Sequence, residues 1–139
     1  MTGTNAANFT GTYSAKCHCG AVKADFSISP SIEERQVVLC NCTICTAYGY
    51  INVYPKAEDV TITGENRLKT YSFPPHNRKH QFCSECGTSI FIVPNDLLPD
   101  IGCLGINIRT VEGIDLDKLH YVKVDGRSRK PEDEMIKRP

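Results

Sequence analysis

The stretch LCNCTICTAYGY (residues 39–50) puts Cys40, Cys42 and Cys45 within six positions and follows them at once with Tyr48 and Tyr50. Thiols this close together point to a metal, because thiolate sulfur is a soft ligand that suits zinc. Tetrahedral zinc takes four ligands, however, and this stretch offers three. Either a fourth comes from elsewhere in the chain, or one position is left for chemistry.

Outward from this stretch, the eight cysteines stand at positions 17, 19, 40, 42, 45, 83, 86 and 103. Seven of them fall into three clusters: CHCG (17–20), CNCTIC (40–45) and CSECG (83–87). Cys-x-x-Cys is a knuckle spacing whose turn aims two sulfurs at one point, and a following glycine tolerates the positive φ that the turn demands. Cys83 and Cys86 with Gly87 match this in full, and Cys42 and Cys45 match it without the glycine. Cys17 and Cys19 are harder to converge. In a regular strand, residues i and i+2 lie about 7 Å apart on one face, whereas two sulfurs on one zinc lie under about 4 Å apart. The backbone must therefore bend there, and Gly20 is suited to the bend.

Seven thiols divide as four plus three. Cys17, Cys19, Cys83 and Cys86 would close one structural site, leaving Cys40, Cys42 and Cys45 with a position free. Geometry favours this division without forcing it. The knuckles 42/45 and 83/86 could instead share one metal, and a fourth ligand such as His18, His76, His80 or Cys103 could close the second site.

The rest of the composition narrows the function classes. A chain of 139 residues is read as one domain with a core of ordinary size. Sixteen basic residues balance sixteen acidic ones, so no net positive field favours nucleic acid or an anionic membrane. The apolar runs are too short to span a bilayer, and MTGTNAANFTGTYSAK has no apolar signal-like core. The expected location is the cytoplasm, where clustered cysteines bind metal or do redox work rather than form a disulfide framework.

Residues 1–11 read as a loose lead-in, 12–124 as the folded domain, and 125–139 as a charged tail. Within the domain the signals are strands: 21–28, 35–40, 50–54, 59–63, 68–73, 79–83, 88–93, 103–108 and 120–124. Turn residues such as Ser29-Pro30, Thr63-Gly64 and Pro74-Pro75 separate them. Helical periodicity is nearly absent, with room for short turns at 31–35, 55–59 and 114–119. The fold class is all-β, with short, mostly antiparallel strands.

KCHCGAV, LCNCTIC and HQFCSECGTSIF, in this order, resemble the glutathione-dependent formaldehyde-activating enzyme / centromere protein V family. The similarity runs over roughly residues 12–124. Asn41, where many enzyme-type members carry His, places the chain closer to the centromere protein V-like branch. The chain lacks the long basic, proline-rich segment of centromere protein V itself. The resemblance implies an Mss4-like fold and two zinc ions. It also implies the four-plus-three division, with Cys17, Cys19, Cys83 and Cys86 structural and Cys40, Cys42 and Cys45 at a catalytic zinc. The implied activity is that of a carbon–sulfur lyase, forming S-(hydroxymethyl)glutathione from glutathione and formaldehyde.

Three thiolates leave a zinc site with a formal charge of −1, a poor setting for ionising water but a good one for an incoming thiol. A small thiol or thiol–aldehyde adduct is thus the expected substrate. The competing readings are a water-activating zinc hydrolase or dehydratase and a non-catalytic interaction domain. Around the site, Tyr48, Asn107 and Arg109 are candidate substrate contacts, Arg109 because a guanidinium can clamp a carboxylate. His76, Arg78, Lys79 and His80 form a basic cluster that suits carboxylates or simply solvent. Cys103, alone in an apolar run, reads as a core thiol.

Overall fold

The computed structural model describes residues 9–74, 78–93 and 102–128. Their strands form two sheets. In the smaller, β1 (Gly11–Lys16), β2 (Lys23–Ile28) and β5 (Val60–Thr63) lie in the order β1-β2-β5 with antiparallel pairing. The larger holds β3 (Gln36–Cys40), β4 (Asn52–Val53), β6 (Leu68–Tyr71), β7 (Lys79–Cys83), β8 (Ser89–Val93), β9 (Gly105–Asn107) and β10 (His120–Val124). Its order is β10-β3-β4-β9-β8-β7-β6. All pairings are antiparallel except β3 with β10, which run parallel and set Cys40 opposite Val124. The architecture is all-β, as expected.

Side-chain patterning explains these faces. KADFSI in β2 alternates, burying Ala24, Phe26 and Ile28 and exposing Lys23 and Asp25. SIFIV in β8, inside the larger sheet, buries Ile90, Phe91 and Ile92 in succession. Between the sheets lies one core that includes Val22, Phe26, Ile32, Val37, Val53, Ile90, Phe91, Ile106 and Ile108. Each such fully buried side chain contributes roughly 1.5–3 kcal/mol. Cys17 and Cys83 belong to this core with no exposed surface.

Two elements differ from the expectation. β1 begins at Gly11, inside the stretch read as a lead-in, because Thr12 to Lys16 pair with β2 along its full length. LCNCTICTAYGY also contains the α-helix α1 (Thr43–Tyr48). Six residues are too few to show a 3.6-residue period, which is why the pattern hid it. Gly49, at φ 72°, ends the helix in the left-handed region. The expected strand 50–54 shortens to β4 for the same reason. The lead-in residues 1–8, His76, and the tail beyond Ser128 lie outside the described residues.

Candidate metal centres

The loop after β1 and the β7–β8 turn bring four sulfurs together: Cys17, Cys19, Cys83 and Cys86, all within 4.8 Å of one another. Cys19 Sγ lies 3.7 Å from both Cys17 Sγ and Cys83 Sγ. That spacing matches two sulfurs on a tetrahedral zinc and not the about 7 Å of a regular strand. The bend is visible: Gly20 N–H donates to the Cys17 carbonyl at 3.1 Å, with Gly20 at φ 82°. Gly87, at φ 81°, closes the second knuckle in the same way, its N–H on the Cys83 carbonyl at 2.8 Å.

Backbone N–H groups converge on these sulfurs. Val22 N–H donates to Cys17 Sγ at 3.3 Å and Glu85 N–H to Cys83 Sγ at 3.3 Å. Thr88 Oγ1 sits 3.2 Å from Cys86 Sγ, and this contact pushes the Cys86 thiol down to about 5. Such donors favour thiolate, the form a metal takes. His18 is not among the ligands; its side chain is exposed and its N–H donates to Thr88 Oγ1 at 3.2 Å.

The second group is Cys40, Cys42 and Cys45, likewise within 4.8 Å of one another. Cys40 ends β3, Cys42 is the N-cap residue of α1, and Cys45 lies inside the helix. Cys42 makes no side-chain cap hydrogen bond, which leaves its sulfur free to face the other two. Cys42 N–H donates to Cys40 Sγ at 3.4 Å. Hydrogen bonds from Cys42 and Cys45 push the Cys40 thiol down to about 2, and Cys45 is correspondingly raised. Among the described residues no fourth His, Cys, Asp or Glu joins this group. Neither His80 nor Cys103 closes it: Cys103 is half-buried in an isolated bridge to Lys56.

The wall behind the triplet is polar and aromatic. Asn52, 1% exposed, points its Nδ2 at Cys45 Sγ from 4.0 Å, while its Oδ1 has no partner among the described residues. Tyr50 packs on Cys45 and Ile92, and its hydroxyl meets His80 Nδ1 at 3.3 Å. His80 is stacked between Tyr50 and Phe73 with ring centroids 5.9 and 6.0 Å away. Burial, reinforced by Arg78, lowers His80 to about 4, so the ring is neutral and faces inward instead of joining a basic surface. Burial likewise raises Tyr50, keeping its hydroxyl protonated.

Tyr48, Asn107 and Arg109 meet in one groove of about 570 Å³, together with Phe82, Thr88, Ser89 and Thr110. The three do not stand alike. Asn107 is buried with its amide committed: Oδ1 accepts from Ile51 and Arg109 N–H at 3.4 and 3.2 Å, and Nδ2 donates to the Ser89 carbonyl at 3.1 Å. It therefore shapes the groove, with its oxygen doubly engaged and one of the two amide N–H donors taken by Ser89. Arg109 is exposed and fixed by Nε on the Gly49 carbonyl at 2.8 Å, at the end of α1. Tyr48 is 38% exposed, its ring 5.5 Å from that of Tyr50.

The sequence reading did not single out Asn52 or Gly126 around the triplet, and it used Asn41 only to place the branch. The Asn41 amide donates to Asp125 Oδ1 at 3.0 Å and accepts from Arg127 N–H at 2.9 Å, so residues 125–128 fold against the site. Both cysteine groups suit a thiophilic metal by donor type, spacing and N–H support.

Comparison with known proteins agrees with this geometry. A crystal structure of a Rhodobacter sphaeroides protein, solved as a structural-genomics target, superposes with a TM-score of 0.67 at 25% identity. The match covers 79% of this chain and 97% of that one. The family model for glutathione-dependent formaldehyde-activating enzymes matches residues 12–109, which span both cysteine groups. The chain belongs to the glutathione-dependent formaldehyde-activating enzyme family.

Proposed function

We propose that the chain is a zinc-dependent carbon–sulfur lyase that joins a small thiol, of the glutathione type, to an aldehyde. The observation that carries this reading is the contrast in ligand number: one group of four thiols, and one of three with no fourth His, Cys, Asp or Glu beside it among the described residues. A zinc ion held by Cys40, Cys42 and Cys45 would supply a soft Lewis acid that favours the thiolate form of an added thiol. Cys17, Cys19, Cys83 and Cys86 would hold a structural zinc.

The bond changes are simple. The thiolate sulfur forms a bond to the carbonyl carbon, the C=O π pair moves to oxygen, and that oxygen ends with the proton the thiol gave up. Nothing is oxidised or reduced, and the reverse breaks the same C–S bond. The chain's own residues would hold the reactants. Arg109, with Nε on Gly49, keeps its outer N–H edge for a substrate carboxylate, and Tyr48 offers a ring face beside it. Asn107 fixes the Arg109 backbone. Asn52 Oδ1, buried and unmatched beside Cys45, is an acceptor for a donor brought by substrate. Eight free cysteines suit a reducing compartment, so we place this activity in the cytoplasm. Among the described residues no helix is long and apolar enough to cross a membrane.

Metal analysis with zinc-edge X-ray absorption tests the reading. Two zincs, one with four sulfurs and one with three plus a non-protein ligand that becomes sulfur when glutathione is added, are expected. Two sites both closed by protein ligands would overturn it in favour of a non-catalytic domain. A light fourth ligand unmoved by thiol would favour a water-activating enzyme.

A further inference from the structure

Cys40 ends β3, and the parallel neighbour β10 ends level with it at Val124. The chain then turns back over the triplet instead of leaving the sheet. Asn41 N–H donates to the Val124 carbonyl at 3.1 Å, and the Asn41 side chain grips both Asp125 and the Arg127 backbone. Arg127 Nε returns a bond to the Asn41 carbonyl at 3.1 Å, and Asp125 Oδ1 accepts from Ser128 N–H at 3.3 Å.

This turn presses Gly126 onto the thiols. A Cβ at Gly126 would stand 2.5 Å from Cys40 Sγ and 3.2 Å from the Cβ of Cys42. The requirement for glycine is one of space, since Gly126 is not among the glycines with positive φ. The same Cys40 sulfur accepts from Cys42 N–H at 3.4 Å.

We propose that residues 125–128 form a clasp that completes the Cys40/Cys42/Cys45 centre, with Gly126 as the residue that positions Cys40 and Asn41 as the lock. The inference rests on the reading that the triplet holds zinc. Its physical effect is twofold. The clasp limits where the Cys40 sulfur can sit, and so would orient it toward a metal held with Cys42 and Cys45. It also walls off the Cys40 side, so a substrate must approach from another direction. The first four residues of the segment read from sequence as a charged tail are thereby part of the site.

The test uses the full chain with zinc, following metal transfer to 4-(2-pyridylazo)resorcinol. The wild type should carry two zincs, one of which leaves faster. Gly126→Ala should retain only the zinc of the four-cysteine centre, with unchanged far-ultraviolet circular dichroism. Asn41→Ala should keep both zincs but release the faster one about tenfold sooner, the scale on which outer-shell partners act. In cobalt-loaded protein the same variant should shift the thiolate-to-cobalt charge-transfer band. Wild-type release rates and spectra in both variants would overturn the clasp while leaving the two-zinc reading intact. A single zinc in the wild type would overturn that reading and the clasp together. If Gly126→Ala fails to fold, the Asn41→Ala release rate and spectrum decide.

Discussion

The two cysteine centres are built from the same atom and do opposite structural jobs. The four-cysteine centre draws its ligands from the loop after β1 and from the β7–β8 turn, with Cys19 and Cys83 separated by 64 residues. It ties the small sheet to the large one at the edge of the core, where Cys17 and Cys83 are fully buried. The triplet draws all its ligands from residues 40–45 and ties nothing distant together. Its surroundings are instead unusually polar for a buried place: Asn52 with an unmatched oxygen, and the Tyr50–His80 pair. On the proposed reading, a metal in the first centre would serve architecture and one in the second would be left a position for a ligand.

Breaking the first centre should therefore have the largest effect. Cys83→Ser is expected to abolish folding, because structural zinc contributes on the order of 10 kcal/mol of metal-linked folding free energy. Circular dichroism and solubility would show it, and a folded, soluble Cys83→Ser chain would contradict the division of labour. Cys42→Ser should instead reduce thiol–aldehyde adduct formation to the uncatalysed rate while the fold survives. Unchanged turnover in that variant would remove the triplet from the mechanism.

The pH response sharpens the comparison on the triplet's side. Burial depresses His80 to about 4, below its ordinary 6.5. As pH falls below about 6.5 the unfolded chain takes up the proton first, so stability is full above that value and declines down to about 4. Each unit of such a shift corresponds to about 1.4 kcal/mol, making a loss of a few kcal/mol. His80→Gln should flatten this decline, read as the melting-temperature difference from wild type across pH 4–7. A difference that does not change with pH would mean that folding leaves the His80 ring at its ordinary value. The smallest effect is expected from Arg109→Gln: KM for a carboxylate-bearing thiol should rise about tenfold with kcat unchanged, the value of one charge-assisted hydrogen bond. Equal KM for wild type and variant would take Arg109 out of the substrate site.

Much of the fold was legible because its signals are local. The β2 alternation and the buried run of β8 depend on residues next to one another, and Cys-x-x-Cys-Gly states its own turn. The grouping of Cys17 with Cys83 was favoured by ligand counting, which left a second division open, and was implied by the family resemblance; the structure brings those sulfurs together. What stayed hidden depends on contacts between distant residues or on elements too short to show a period. Helix α1 is six residues long. Asn41 and Arg127 are 86 residues apart, and nothing in GRSRKPEDE announces that its own glycine, Gly126, will rest on a thiol. Asn107 was read as a candidate substrate contact, and the hydrogen bonds of its amide to the backbone of three other residues are something only the packing reveals.

The different sequence spans of the two centres also order their assembly. Closing a loop costs more entropy as the intervening chain lengthens, and the triplet's ligands lie within six residues. A growing chain thus presents a working metal trap as soon as residue 45 is made, long before the β7–β8 turn exists. The four-cysteine centre must wait for Cys86, and the triplet gains its Gly126 wall only once residue 126 is made. Metal supply during translation, and not only in the finished protein, therefore decides which centre fills first.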